Sequence, residues 1–306
     1  MKKFYLLLII FVSLLLFYFS YSNLITEFEI MVDYPEIFVG GEIIQEELVK
    51  GQVQIYDYAQ PIFLEGTNNE SVLLIHGYLA SPQEVEELAH YLNERDYTVL
   101  APLMSGHGTN YLDLETVSWD IWADESKYYY ELLNDNYNAV HVVGFSLGSL
   151  SALELANSYE LDSLVVIGTP MFIVTDWIYS DDYGSDFLVT VIGEFANYFP
   201  YPKKGNSFTD LVIGRETYSH LPTISILEVI EYSDYVKSVL GDVDDDVIIL
   251  HGSFDTTADP YSAEYVFEEI GSKEKEIVYV NSLHQVLMGI HQEEVFSEIS
   301  GFLGRE

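Results

Sequence analysis

The chain of 306 residues contains no cysteine. Disulfides, thiolate metal sites, a cysteine nucleophile and a lipidated N-terminal cysteine are therefore excluded together. The absence does not identify a compartment, because a chain of this length buries enough surface to be stable without covalent staples. Positive charge is nearly as scarce. Twelve Lys and Arg stand against 50 Asp and Glu, a formal charge of −38 at pH 7. Such a field repels phosphate backbones and anionic head groups, which excludes nucleic-acid binding unless a basic patch is present. The pair Lys203-Lys204 lies in acidic surroundings and reads as a solvated loop tip. Acidity does not mean disorder here. Hydrophobic residues make up 49% of the chain, with 17 Phe, 25 Tyr and 3 Trp, enough for a large folded core.

What is present begins at the N-terminus. Lys2 and Lys3 precede an apolar run over residues 4–19 that only Ser13 interrupts, and Tyr21, Leu24 and Ile25 extend its character. The run approaches the roughly 20 residues that span a bilayer. Residues 1–22 are read as a membrane anchor, with a cleaved signal peptide as the alternative because Ser20 and Ser22 set small residues two apart. In both cases the positive residues stay inside and the acidic remainder is exported, tethered by a single N-terminal pass or secreted. Residues 23–42 read as a linker and 43–306 as the globular part.

Within that part, short β-branched runs alternate with longer amphipathic stretches. Residues 53–56 and 62–65 read as an opening pair of strands and 71–75 as a buried strand. Ser81-Pro82-Gln83-Glu84 carries the signature of a capping box with proline at the first helical position, and Val85, Leu88, Ala89 and Leu92 then mark one helix face. Strands follow at 97–101, 139–143, 164–168, 247–250 and 277–280, with helices over 116–133 and 292–303. The alternation predicts an α/β fold, a mainly parallel sheet with helices on both faces.

Into this frame falls Gly144-Phe145-Ser146-Leu147-Gly148, between a buried strand and a helix. That placement is the context a nucleophile elbow requires: a tight turn with no room for flanking side chains, presenting Ser146 above the sheet at a helix N-terminus. A serine needs a base, and the base an acid to orient it. The chain order of this arrangement is Ser, then Asp or Glu, then His, each acid and base on a loop after a late strand. Asp255, five positions after the strand VIIL, is the preferred acid, and Asp259 the fallback that reads better as a cap of the helix from Tyr261. His284, after the strand IVYV, is the preferred base. His291 opens the last helix. His76 and His107 are read as bracing loops, His141 as lying in a strand and His251 as ending one. Backbone N–H donors for a developing oxyanion are expected from Leu147, after the nucleophile, and from Tyr78, in the loop after strand 71–75.

These segments carry a family resemblance. LLIHGYLASPQE, PLMSGHGTN, HVVGFSLGS, HGSFDTTADPYSAEYVFEEI and KEKEIVYVNSLHQV resemble the oxyanion, loop, elbow, acid and base segments of α/β-hydrolase fold serine esterases, specifically the carboxylesterases and monoacylglycerol lipases of bacilli. The similarity runs from about residue 58 to 303 and thins in the middle. It implies the triad Ser146, Asp255 and His284, the oxyanion hole at Tyr78 and Leu147, a small-molecule acyl ester as substrate, and no metal or organic cofactor. The N-terminal apolar segment and the extreme acidity depart from the family. Almost eighty residues separate the strand ending at Gly168 from that beginning near Val247, and residues 169–240 read as a lid region. Met171, Phe172, Ile173, Trp177, Phe187 and Phe195 among them suggest an acyl pocket, with ordinary helix packing as the alternative. The function expected is ester hydrolysis. Acyl transfer, thioester or peptide cleavage on the same triad, and a non-catalytic tethered binding protein, remain open alternatives.

Charge yields a first prediction. Lysine depletion with excess Asp and Glu is the composition of a salt-adapted, halophilic protein, and self-repulsion reaches roughly 30 Å at 0.01 M salt but only about 3 Å at 1 M. The melting temperature is expected to rise from 0.05 to 2 M NaCl; an unchanged value removes the idea.

Overall fold

The computed structural model describes residues 31–33, 38–39, 42–43, 54–173, 198–200, 214–218 and 220–305. The N-terminal anchor or signal segment lies outside these residues, as do Trp177, Phe187 and Phe195 of the lid region. Among the described residues no helix is long and apolar enough to cross a membrane.

Seven strands form the central sheet: β1 (Ile62–Leu64), β2 (Glu70–Ile75), β3 (Thr98–Ala101), β4 (Ala139–Phe145), β5 (Ser163–Ile167), β6 (Val247–Gly252) and β7 (Lys275–Val280). Their spatial order is β7-β6-β5-β4-β2-β3-β1. Every pairing is parallel except that of β1 with β3, which is antiparallel and forms one edge. The two opening strands read from the sequence form at Gln54–Tyr56 and Ile62–Leu64, without pairing to each other. Gln54–Tyr56 instead pairs with Met31–Asp33 in a separate ribbon.

Helices α1 (Glu86–Asn93), α2 (Trp119–Asn134), α3 (Leu147–Ser158), α4 (Thr223–Val239), α5 (Tyr261–Glu269) and α6 (Gln292–Leu303) cover the sheet. Alternate strand residues sort to its two faces. Val72, Leu74, Val165, Ile248 and Leu250 pack with Leu88 and Leu92 of α1 and Phe296 and Ile299 of α6. Leu73, Ile75, Val142, Val166 and Ile249 pack on the other side with α2, α3, α4 and α5. Both faces are apolar because both are covered, which is why these strands read as continuous runs of Val, Ile and Leu. Helix α4 lies inside the span read as lid. Its Val229, Tyr232 and Val236 are buried in the core beneath it, so this part of the region is structural cover.

The capping box at Ser81 does not form. Residues Pro82–Val85 make a 3-10 turn before α1, Ser81 makes no side-chain cap bond, and Glu84 is buried, accepting the Gly77 N–H at 2.9 Å. The carboxylate that the pattern assigned to its own helix N-terminus is turned toward the loop after β2.

Ile249, fully buried between Val166 and Ile277 in the sheet, tests the core directly. Ile249→Ala is expected to cost about 2–5 kcal/mol, read from the midpoint of urea unfolding; a shift below about 1 kcal/mol contradicts this packing.

Candidate active site

Strand β4 delivers its chain into α3 with a single residue between them. That residue, Ser146, has φ 53° and ψ −117°, a left-handed conformation that costs a non-glycine residue on the order of 1–3 kcal/mol. Two glycines allow it. A Cβ on Gly144 would run into the Gly148 backbone, and one on Gly148 would run into the Ile75 carbonyl at the end of β2. The Ser146 N–H donates to the Ile167 carbonyl of β5 at 2.8 Å, and its own carbonyl accepts from the Ser149 N–H and hydroxyl at 2.9 and 2.5 Å. The strained residue is thus bound to a neighbouring strand and to the first helical turn.

His284 lies after β7 and faces this serine. Its Nε2 is 3.0 Å from Ser146 Oγ, and its Nδ1 is 2.6 Å from Asp255 Oδ2. An ionised carboxylate only accepts, so Nδ1 carries the proton and Nε2 is left to accept from the serine hydroxyl. Asp255 follows β6 in a turn whose backbone holds its other oxygen: Oδ1 accepts the Thr257 and Ala258 N–H groups at 2.7 and 3.0 Å. His251, at the end of β6, brings Nε2 to 3.2 Å from both Asp255 Oδ2 and the Ala258 carbonyl. Both are acceptors, so that nitrogen also bears a proton. Burial by itself raises the Asp255 pKa, but hydrogen bonds from His251 and His284, with the electrostatic attraction between the carboxylate and the His284 ring, outweigh it and hold the carboxyl below the usual carboxylate range. Sequence alone places the second histidine at the end of a strand and does not assign it to the acid.

The structure brings Ser146, His284 and Asp255 together and sets the two expected oxyanion segments beside them. Leu147 is the first residue of α3, where backbone N–H groups have no acceptor within the helix. The loop after β2 approaches closely enough that a Cβ on Gly77 would lie 3.2 Å from Ser146 Cβ. Tyr78 follows in this loop, with its hydroxyl against Ser225 Oγ of α4. Asp259 is engaged elsewhere: its Oδ1 accepts the Tyr261 N–H at the start of α5. His291 sits before α6 near Glu294, and His141 bonds Ser163 between β4 and β5.

His76 and His107 brace the loops above the sheet. The His76 ring donates from Nδ1 to the Gly77 carbonyl at 2.9 Å and accepts the Met104 N–H on Nε2 at 3.2 Å. His107 packs edge-on against it and bonds the Ser105 carbonyl. Burial, reinforced by His107 and Arg215, lowers the His76 pKa to about 3, and burial lowers that of His107 to about 4. Neither ring is poised to exchange protons near neutrality. Among the described residues no group of His, Asp and Glu is arranged to hold a metal ion.

Residues 66–289 match the family model Hydrolase_4, described as Serine aminopeptidase, S33. The chain is 26% identical over 256 residues to a thermostable monoacylglycerol lipase of a Bacillus species, covering 83% of this chain and 98% of that protein. It is 24% identical over 249 residues to a carboxylesterase of Bacillus subtilis, covering 80% and 96%. A solved structure described under LipS and LipT, two metagenome-derived lipolytic enzymes, superposes with a TM-score of 0.73 at 20% identity, covering 82% of this chain and 99% of that one. Similarity at that level shows the α/β-hydrolase fold.

The buried histidines set a pH dependence. Their folded pKa values lie below the ordinary 6.5, so the unfolded chain binds more protons between those values. Their contribution to stability is complete above about pH 6.5 and is lost as pH falls toward 4 and then 3. The melting temperature is expected to fall across that window, and less steeply in His107→Gln. Equal slopes in wild type and variant contradict the assignment.

Proposed function

The chain belongs to the Serine aminopeptidase, S33 family, and from that premise we propose that it is a serine hydrolase cleaving a neutral carboxylic ester, such as a monoacylglycerol, through an acyl-enzyme. The observation that carries this reading is the His284 ring, with one nitrogen 3.0 Å from Ser146 Oγ and the other 2.6 Å from Asp255. Ser146 Oγ attacks the acyl carbonyl as His284 Nε2 takes its proton. Asp255 keeps Nδ1 protonated and stabilises the imidazolium that forms, without itself accepting the proton. The backbone N–H groups of Tyr78 and Leu147 take the oxyanion, and the α3 N-terminus favours the same charge. His284 returns the proton to the leaving alkoxide, and a water activated by the same nitrogen releases the acid. His251 acts through Asp255 as its second donor.

The ester class is supported by the names of the two bacillar relatives, and the choice of a neutral ester by the acidity of the chain, which disfavours anionic substrates. The work is assigned to the outer side of the membrane, because the apolar segment at residues 4–19 follows two lysines.

Ser146→Ala is expected to lower turnover of p-nitrophenyl butyrate by at least about a thousandfold and to abolish labelling by a fluorophosphonate probe. Wild-type turnover in that variant overturns the reading. An acyl series of monoglycerides and p-nitrophenyl esters, run beside a thioester and an amino-acid anilide, separates ester cleavage from thioesterase and peptidase action on the same triad.

A further inference from the structure

Three polar side chains beside the reactive serine have no place in that mechanism. Glu84, Arg215 and Gln285 are 2%, 7% and 8% exposed, and they come from the turn before α1, the 214–218 segment and the loop carrying His284. Arg215 Nε donates to Glu84 Oε1 at 2.8 Å. The Gln285 amide, with its oxygen toward Arg215, accepts from Nε at 3.2 Å and donates to Glu84 Oε1 at 3.0 Å. The other Glu84 oxygen accepts the Gly77 N–H at 2.9 Å. Gln83 binds the backbone on either side of Arg215, accepting the Glu216 N–H at 3.1 Å and donating to the Gly214 carbonyl at 3.3 Å.

The cluster bears on catalysis through one peptide. Glu84 holds the Gly77 N–H, while the Gly77 carbonyl accepts from His76 Nδ1 and from the Ala80 N–H. Both groups of Gly77 are therefore pinned. The next peptide N–H is that of Tyr78, and in a trans peptide it points away from the pinned Gly77 carbonyl. Holding Gly77 thus aims the Tyr78 donor. Charge adds a second requirement: an unpaired carboxylate on Gly77, beside Ser146, would oppose the anion formed in the transition state. Arg215 cancels it. A buried ion pair is in general a weak source of stability, but one left half-made is strongly unfavourable, so this pair is better explained by what it positions.

We propose that Arg215 is a positioning residue that, through Glu84 and Gln285, locks the oxyanion loop to the loop carrying the base, so that the oxyanion hole is complete only with the 214–218 segment seated. The inference rests on the serine-hydrolase reading. That reading stands or falls on wild-type turnover and Ser146 labelling; the present one is tested only by comparing variants of an active enzyme.

The full chain carrying Arg215→Met is expected to lose kcat on p-nitrophenyl butyrate by about a hundredfold while KM stays within about threefold, at a temperature where circular dichroism shows it folded. In the double variant Glu84→Gln with Arg215→Met, the lone buried charge is gone, and kcat is expected to recover at least about tenfold over the single variant. A single variant within about threefold of wild-type kcat overturns the proposal. So does a double variant no better than the single one, or a loss of kcat that only follows the folded fraction. Should Arg215→Met not fold, Gln285→Leu carries the test: an expected fall in kcat of about tenfold at unchanged KM, with wild-type kcat as the overturning result.

Discussion

The contact on which the site depends is between two backbones. Gly148, in the first turn of α3, lies against the carbonyl of Ile75 at the end of β2, and Gly144 lies against Gly148 in turn. No side chain fits in either gap, so the helix begins immediately over the strand ends and Ser146 is forced into a left-handed conformation. The strain persists because its surroundings over-determine it: a bond to β5 on one side, two bonds into α3 on the other, and fully buried strands beneath. Flexible packing here would let the serine relax into an ordinary conformation and turn its hydroxyl away from His284.

Parallel strands make the remaining alignment follow. Since β4, β5, β6 and β7 run in one direction, their C-terminal ends open on one edge of the sheet. Ser146, Asp255 and His284 all sit just beyond those ends, separated by up to 138 residues in the chain yet within one hydrogen-bonded row. The acid is held most firmly. Asp255 takes two backbone donors on one oxygen and two imidazole nitrogens near the other. The bond energy of any one contact matters less than their number, which leaves the carboxylate no alternative orientation and gives His284 a single tautomer.

Much of this was legible in the sequence, for identifiable reasons. Fully apolar strands announce a sheet covered on both faces, and the Gly-x-Ser-x-Gly run is informative because it joins such a strand to a helix. Order and position after strands pick out Ser146, Asp255 and His284, and in the structure the His284 ring lies between the other two, within hydrogen-bond distance of each. Glu84 was not legible. Ser81-Pro82-Gln83-Glu84 satisfies every local condition for a capping box, and the competing partners, Gly77 and Arg215, are 7 and 131 residues away. Local pattern reading weighs neighbours on one helix; a buried carboxylate goes to the strongest donors in reach, and those are set by tertiary structure. His251 was hidden for a related reason, since a histidine ending a strand has many neighbours and the sequence does not say which one its ring meets.

The chain's charge is divided by the same logic. Among the described residues the exposed helix faces are rich in Asp and Glu, whereas the buried carboxylates meet donors on at least one oxygen: Asp255 two histidines and two peptides, Glu84 an arginine and a peptide, Glu154 the ammonium of Lys127 at 2.8 Å, Asp245 the Leu161 N–H at 2.6 Å. The chain has only 12 cations. Among the described residues Lys127 and Arg215 pair with buried carboxylates, where an uncompensated charge is most costly, whereas Lys237 and Arg305 pair with exposed ones. High salt acts on the first population and barely reaches the second, because screening works through solvent. The salt response of the surface and the pairing of the interior carboxylates are therefore nearly independent in this fold, joined only where a scarce arginine is committed to the interior.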